Sequence, residues 1–344
     1  MEGLPGPPDQ CACRKVRELK LPPVTPSFLR WDSAADSAGR VIEEIDGWAS
    51  SDAMARLVDV FGGMLTGTGT ELLTYLEKFS AQHWDFRGGA ERNLGAAPQF
   101  SAAQVNETER ACLGLGLASE DLPSRPRYDT VLMTGGMVRA GIVKPRFVRE
   151  LLRGGTDVGS IVFVGAFRPF AGDESQTAAR LGVSGDGEFD AMVAGMDGAF
   201  GPLGKPEVVE SITENPFLSW RQLTWQRGDI TLRVVAAPSS HPDRRANTVD
   251  TFRFWVEHHS SREQSVLIVT TPIYVPYQGA VAVDVLGLGH GLTVETVAVS
   301  ATASDLGELS QEFRTEHKLQ ELRSAIRAIR SLREKLSYLD WPSV

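Results

Sequence analysis

Polar segments follow short apolar runs at four places in the sequence. The first segment pairs Gly135 and Gly136 with Arg139, so a turn without side-chain bulk lies beside a permanent positive charge. The second segment places Arg168 shortly before Glu174, a carboxylate that could act as an acid or a base. Because guanidinium groups bind phosphates and carboxylates, both segments predict an anionic ligand.

The third segment, 238–248, is the most polar stretch of the chain. We predict that His241 acts as an acid or base and that Arg245 binds the anion. Asn247 and Thr248 begin a predicted helix, so they either bind the ligand or cap that helix.

The fourth segment, 270–278, offers hydroxyl groups, an amide and aromatic rings within a loop restricted by two prolines. Tyrosine rings of this kind can also belong to the core, an alternative that the sequence leaves open. Together the four segments predict catalytic roles for Glu174, His241 and Tyr274. They predict ligand binding by Gly135, Gly136, Arg139, Arg168, Arg245, Asn247, Thr248, Thr271, Tyr277 and Gln278.

A further stretch, 83–92, mixes aromatic and charged residues after a predicted helix. Trp84, Asp85 and Arg87 could form a lid over the site, and an interdomain contact held by ion pairs explains the same residues equally well. No metal site is predicted, because Cys11 and Cys13 are too few for structural zinc and the histidines lack ligand spacing. The glycine-rich dinucleotide, Walker and nucleophile-elbow motifs are absent from the sequence.

The elements that position these segments alternate between strand and helix from residue 123 onward. The apolar runs are short and rich in β-branched residues, which is typical of parallel strands covered by helices on both faces. The predicted strands are Thr130–Met133, Ile161–Val164, Leu232–Ala236, Val266–Val269 and, with polar interruptions that suit a sheet edge, Val294–Val299. The predicted helices are Pro145–Arg153, Glu174–Leu181, Glu188–Gly198, Thr248–His259 and Val275–Leu286. This order predicts a doubly wound α/β fold, in which ligands bind at the carboxyl ends of the strands.

Segments of other character flank this α/β domain, predicted at 123–304. Residues 1–30 are proline-rich and read as an extended lead-in, and residues 31–122 carry helical periodicity throughout. Residues 305–344 form a predicted amphipathic helix with an apolar stripe from Leu319 to Leu336. We favour packing of this stripe on the rest of the chain; the alternative is a coiled coil that makes a homodimer.

Composition limits the class of protein. The 344 residues carry a formal net charge of −9 and a pI near 5.3, which argues against a general nucleic-acid binder. No apolar stretch approaches the length of a membrane span, and Met1–Gln10 does not resemble a secretory signal. The sequence therefore predicts a cytoplasmic protein with a small-molecule ligand and no nucleic-acid or membrane partner.

The same loops resemble the DUF218 family, the group of YdcF-like and SanA-like proteins, over about residues 127–300. The resemblance rests on Gly135-Gly136, on Gly165-x-x-Arg168 with Glu174, on Arg245-x-Asn247-Thr248 and on Val269-Thr270-Thr271. It implies a three-layer Rossmann-like domain with one polar pocket, and it carries ligand roles onto Gly135, Gly136, Glu174, Asn247 and Thr271. It also implies S-adenosylmethionine or a nucleotide as ligand. The chain departs from the family where a histidine and an arginine are expected, since it reads Tyr274-Val-Pro-Tyr277-Gln278 there.

Three functions are compatible with these observations. The first is an enzyme, a transferase or hydrolase, that acts on an anionic or nucleotide-like metabolite. The second is a non-catalytic regulatory protein that binds a nucleotide or S-adenosylmethionine. The third is an interaction protein that assembles through its terminal helices.

Overall fold

A computed structural model describes residues 28–32, 34, 36–86, 98–118, 122–259 and 264–339. Most of the predicted lead-in, the cysteines Cys11 and Cys13, and the predicted lid residue Arg87 lie outside these ranges. The described chain contains an α/β domain with helices on both faces of one sheet, and a second helical body packed beside it.

The sheet has seven strands in the order β3-β4-β5-β2-β1-β6-β7. The strands are β1 (Arg127–Thr134), β2 (Asp157–Gly165), β3 (Glu207–Ser211), β4 (Trp220–Arg227), β5 (Ile230–Ala236), β6 (Ser265–Thr270) and β7 (Thr293–Ala298). All five predicted strands are present and parallel. The α/β fold class and the edge position of β7 are thereby confirmed.

Two antiparallel strands, β3 and β4, were not predicted. Polar and charged residues make up more than half of each strand without regular alternation, and all of β3 is exposed at the far edge of the sheet. They therefore lack the continuous apolar run that revealed the buried strands. A two-residue turn at Asp229 joins β4 to β5 as a hairpin.

Alternate residues of the central strands pack on opposite faces of the sheet. Val131 and Phe163 belong to the core beneath helices α5 and α7, whereas Leu132 and Val162 face α8 and α9. The helices are α5 (Val138–Arg153), α6 (Glu174–Arg180), α7 (Glu188–Phe200), α8 (Thr248–His259) and α9 (Val275–Ala282), which continues as a π-helix over Val283–Leu288. Helices on both faces of the sheet make the three layers predicted from the sequence.

Helix α5 begins earlier than predicted, and Pro145 lies inside it instead of in its first turn. A proline at this position leaves the carbonyl of Gly141 without its usual helical donor. Gly195 of α7 packs against that carbonyl: a methyl group on Gly195 would lie 1.9 Å from Gly141 O. The proline therefore coincides with the closest approach between the two helices.

A separate helical core joins the two ends of the chain. Helices α1 (Ser37–Ala49), α2 (Asp52–Val60), α3 (Gly69–His83) and α4 (Ala102–Gly114) pack with α11 (Thr315–Leu339). The predicted stripe on α11, including Ile326 and Ile329, is fully buried in this core. Arg333 of α11 binds both carboxylate oxygens of Asp46 in α1, at 2.6 and 2.8 Å. The stripe therefore packs within the chain, as favoured from the sequence.

The segment between the sheet and α11 is not part of one long helix, contrary to prediction. It contains the short α10 (Ala301–Ser304) and a 3-10 turn at Gly307–Leu309. Gly307 adopts a positive φ of 60°, a conformation that ends helical structure. Irregular chain therefore crosses residues 305–314 before α11 begins.

No described helix combines the length and apolarity needed to cross a bilayer. Within the described ranges, His, Cys, Asp and Glu side chains do not gather in threes or more as metal ligands would.

Candidate functional site at the carboxyl ends of the strands

A cavity of about 530 Å³ lies at the carboxyl ends of the parallel strands. Its walls include Thr134 at the end of β1, Gly165 at the end of β2, Thr271 after β6 and Val299 after β7. All of the predicted catalytic and ligand-binding residues except His241 line it. These are Gly135, Gly136, Arg139, Arg168, Glu174, Arg245, Asn247, Thr248, Thr271, Tyr274, Tyr277 and Gln278.

Arg168 is held between two buried carboxylates at one side of this cavity. Its Nη1 and Nη2 donate to Glu174 at 2.6 and 2.9 Å, and its Nε donates to Glu188 at 2.9 Å. Backbone carbonyls of Gly136 and Pro169 accept its remaining protons at 3.0 and 3.3 Å. All five N–H groups of the guanidinium are therefore used within the protein.

Glu174 is correspondingly fixed as a charged structural group. Burial alone would raise the pKa of Glu174, but hydrogen bonds from Arg168 and from the Ala171 and Val138 amides hold it below the usual value. The same carboxylates hold the pKa of Arg168 above its usual range, against the effect of burial. A carboxylate stabilised in this way is a weak proton acceptor, which disfavours the predicted acid–base role.

The turn at Gly135 and Gly136 that follows β1, the glycine turn, binds Glu174 and Glu188 directly. The Gly136 amide donates to Glu188 at 3.1 Å, and the Val138 amide donates to Glu174 at 3.0 Å. A methyl group on Gly135 would lie 2.0 Å from Glu188 Oε1. Glycine is therefore required at 135 because the protein's own carboxylate occupies the space expected for a ligand.

Arg139 is the second residue of α5 and also lines the cavity. Its Nε donates to the Leu309 carbonyl at 2.6 Å, and Nη2 lies 3.5 Å from Thr177 Oγ1. Arg139 thus connects the sheet domain to the irregular segment 305–314. Its Nη1 makes none of these bonds, so the guanidinium retains donors for a ligand.

The loop before α8 presents Arg245 to the cavity and caps the helix with Asn247. Asn247 Oδ1 accepts from the Asp250 amide at 3.0 Å, and Asp250 accepts from the Asn247 amide at 2.9 Å. Arg244 binds the same Asp250 carboxylate at 2.7 Å. The capping explanation for Asn247 is therefore correct, and it leaves the neighbouring Arg245 and Thr248 on the cavity wall.

A chain of hydroxyl and amide groups forms the cavity floor. Thr134 Oγ1 donates to Thr270 Oγ1 at 3.2 Å, and Thr270 donates in turn to Gln278 Oε1. Gln278 Nε2 then lies 3.4 Å from Thr248 Oγ1, and Thr248 bonds to the Tyr277 hydroxyl. Burial raises the pKa of Tyr277, so its phenol stays protonated at neutral pH.

Lys144 lies beneath the glycine turn, and it is the first donor in this series of hydrogen bonds. Its ammonium donates to the Thr134 carbonyl at 2.6 Å, to Thr134 Oγ1 at 2.9 Å and to the Gly135 carbonyl at 3.1 Å. Only 1% of the residue is exposed. Burial lowers the pKa of Lys144 to about 7, while the nearby Glu188 opposes this shift.

The outer wall of the cavity comes from the C-terminal segment. Leu306, Gln311 and Phe313 precede α11, and Glu321 and Ser324 lie on its first turns. Glu321 is 4% exposed and interacts with Tyr277, which also interacts with Arg245. The C-terminal segment therefore completes the site.

His241 does not belong to this site. Its side chain is 58% exposed and lies 3.7 Å from Asp243, on the part of the loop that turns toward solvent. Ser239 supports this turn by accepting from the His241 amide at 3.1 Å. The geometry therefore gives no support to the predicted acid–base role of His241, because only the second half of the loop faces the cavity.

Trp84 and Asp85 do not form a lid. Trp84 is fully buried in the helical core, in edge contact with Phe61 and Phe79. Asp85 makes an ion pair of 2.9 Å with Arg323 of α11. The second interpretation of this stretch, a contact between segments held by ion pairs, fits Asp85, whereas Trp84 is a core residue of the helical extension.

Sequence reasoning missed three contributions to the site. Glu188 is predicted from the sequence only as the start of a helix, although it shares Arg168 with Glu174. Lys144 could have been found, because it lies on the same helical face as Gly141, Val148 and Leu151, where a charged residue is unexpected. The C-terminal wall has no local signal, since its residues reach the cavity only through long-range packing.

Comparison with known proteins places the chain in a family. The model of the Rv3785 N-terminal domain matches residues 32–116, which cover helices α1 to α4. Rv3785 of Mycobacterium tuberculosis is 32% identical over 322 residues, covering 85% of this chain and 89% of that protein. Mb3814 of Mycobacterium bovis gives the same values, and both relatives are described as uncharacterized. No solved structure matches the chain.

These findings overturn the resemblance to the DUF218 family. The family model that matches is that of Rv3785 and covers the N-terminal helices that the resemblance left out, and the relatives align over 85% of the chain. Gly135, Gly136, Glu174, Asn247 and Thr271 do share one cavity, but that placement follows from the general topology of parallel α/β sheets. With the resemblance, its implication of S-adenosylmethionine also falls. The chain belongs to the Rv3785 family.

Proposed function

We propose that this protein binds a small anionic metabolite in the cavity at the strand ends. The observation that carries the proposal is the convergence of Arg139 and Arg245 on one cavity. Guanidinium groups favour negatively charged ligands. A volume of about 530 Å³ is within the usual range for a metabolite site.

Aromatic side chains support a ligand that also carries a ring. Tyr274, Tyr277 and Phe313 line the same cavity as the two arginines. A flat heterocycle can stack on such rings while an attached phosphate or carboxylate meets a guanidinium. We therefore favour nucleotide-like anions within the class of anionic metabolites.

Binding without turnover accounts for the site better than catalysis does. Of the three residues assigned to catalysis, Glu174 is held by Arg168 and His241 lies outside the cavity. Enzymatic transfer or hydrolysis is the second candidate, because Tyr274 does line the cavity. Product formation distinguishes the two functions.

The test begins with mass spectrometry of metabolites that copurify with the full chain, followed by calorimetry with the anion identified or with a panel of nucleoside phosphates. Replacement of Arg139 or Arg245 by Gln removes one charge from the cavity. Each variant should weaken binding by about tenfold or more, since a charged hydrogen bond contributes roughly 1.5–3 kcal/mol.

Arg127→Gln is the matched control. Arg127 begins β1 at the opposite end of the sheet, and its ion pair with Asp157 is largely exposed. Its removal changes net charge equally and should leave affinity unchanged. Equal weakening by all three variants, or the absence of any anion that binds, would contradict the proposal.

A further inference from the structure

Four ionisable groups surround the glycine turn at the end of β1, and of these Lys144, Glu174 and Glu188 are buried while the Arg168 side chain is 12% exposed. Arg168 lies between Glu174 and Glu188, at 2.6 and 2.9 Å. Lys144 contacts the turn from below through the Thr134 and Gly135 carbonyls. These are two positive and two negative charges, so the cluster is neutral when Lys144 carries its proton.

The charge balance changes if Lys144 is neutral. Arg168 then compensates only one of the two carboxylates, and the turn that lines the cavity carries a net negative charge. A methyl group on Gly136 would lie 4.0 Å from Lys144 Nζ, so the ammonium is separated from the cavity by little more than the backbone of the turn. At such a short range within a buried region, a unit charge acts strongly on a ligand.

We propose that Lys144 is a positioning residue whose buried charge makes the glycine turn able to accept an anion. This inference rests on the proposed function, because it concerns the affinity of the same cavity for anions. Lys144 touches no ligand. It holds the turn through three hydrogen bonds and cancels the second carboxylate.

The charged groups that face Lys144 come from all the elements that meet at the turn. Glu188 of α7 acts on its charge directly, Glu174 of α6 and Arg168 of the β2–α6 loop complete the cluster, and Arg139 belongs to its own helix. From β6 the facing group is the uncharged Thr270. Glu174 and Arg168 both stay charged near neutral pH, because their mutual contacts lower the pKa of Glu174 and raise the pKa of Arg168.

The consequence is an anion affinity that falls as the pH rises. Because burial lowers the pKa of Lys144 to about 7, the ammonium is intact below neutral pH and is lost above it. Sulfate is the probe, since its charge is constant over this range whereas phosphate titrates near pH 7. Calorimetry should show sulfate affinity falling by about tenfold or more between about pH 6 and pH 9, from the loss of one nearby charge.

Lys144→Met tests the residue itself, because methionine has similar length and no charge. The variant should bind sulfate weakly at both pH values, with no pH dependence. Lys78→Met is the matched control, since Lys78 is exposed on α3, and it should keep the full pH dependence.

Selective ¹³C-lysine NMR of the unmodified chain keeps the inference testable if Lys144→Met does not fold. The sequence contains seven lysines, and Lys144 is the fully buried one among those that the structure describes. One lysine should therefore titrate near neutral pH, and sulfate should raise its midpoint, because linkage between proton and anion is reciprocal.

The outcomes separate this inference from the proposed function. Sulfate binding that is constant with pH and still lost in Arg139→Gln overturns the role of Lys144 and leaves the anion site standing. If sulfate does not raise the titration midpoint of the lysine, the role of Lys144 is likewise overturned and the anion site still stands. Failure of sulfate to bind at about pH 6, where the ammonium is intact, overturns this inference, and failure of every nucleoside phosphate to bind as well overturns both.

Discussion

In the structure Arg168 pairs with two buried carboxylates, although it was predicted to bind a ligand. A guanidinium after a parallel strand was expected to bind a ligand, and it does line the cavity. Its protons, however, are bound to Glu174, Glu188 and two backbone carbonyls. The residue type and its location were predictable, but its partners were not, because Glu188 lies twenty residues away.

Replacement of Arg168 by Ala should destabilise the fold as well as the site. It leaves Glu174 and Glu188, 1% and 5% exposed, without their compensating charge. Removing one partner of a buried ion pair lowers the free energy of unfolding by about 3–5 kcal/mol. Urea denaturation measures this loss of the free energy of unfolding.

Arg127→Ala is the reference for that measurement. It removes an exposed ion pair with Asp157, which should change stability by no more than about 1 kcal/mol. A similar small change for Arg168→Ala would mean that the three-residue cluster is not a structural unit.

At the scale of elements, the packing of helices α5 and α7 likewise determines the geometry of the site. Gly141 and Gly195 bring the two helix backbones together beside Pro145, next to the turn that carries the site. Close packing at this point fixes the distance between Lys144 on α5 and Glu188 on α7. The geometry of the charged cluster therefore depends on two residues without side chains.

Gly195→Ala should be strongly destabilising, because the added methyl group would lie 1.9 Å from Gly141 O and the backbone must move. Overpacking of this kind costs typically about 1–3 kcal/mol or more. Thermal unfolding measures it, and the anion affinity should fall as the cluster is displaced.

Gly198→Ala provides a control within the same helix. A methyl group there meets nothing within 4 Å, so alanine should stabilise α7 by about 0.5–1 kcal/mol. Equal effects from both substitutions would show that the contact between α5 and α7 is not tight.

The strands and helices around the cavity could be predicted because each carries its own periodic pattern. Val131–Met133 and Ile161–Val164 are buried on both faces and read directly as parallel strands. Exposed β3 and half-exposed β4 lack that pattern, and the preference of proline for a first helical turn predicts a later start for α5 than the structure has. The gathering of ligand residues followed from topology, whereas their hydrogen bonds depend on side chains from distant elements.

At the scale of the whole molecule, the C-terminal segment serves two regions at once. It supplies Phe313 and Glu321 to the cavity, and α11 fills the core between α1 and α3. The sequence predicted the helix and its stripe, but not its contribution to the site. The separate domains read from the sequence thus share one structural element.

Removal of residues 305–344 should abolish anion binding and expose the N-terminal helices together. The deletion takes away the outer cavity wall and the buried stripe that includes Leu322 and Ile329. Hydrogen exchange over α1 and α3, with calorimetry for the anion, measures both effects.

A milder pair of variants covers the case in which the truncated chain aggregates. Ile326→Ala in the buried stripe should cost about 2–5 kcal/mol, whereas Tyr338→Ala, 84% exposed, should cost little. Full anion affinity in the truncated chain would show that the outer wall is dispensable.

The pairing of Asp46 with Arg333 spans almost the entire chain, which has a consequence for biosynthesis. A ribosome releases α1 to α4 long before α11, so their apolar faces must wait uncovered while the sheet is translated. We expect molecular chaperones to bind the nascent protein during that interval. The cavity is complete only once α11 has been translated and has packed, because α11 supplies Glu321 to its wall.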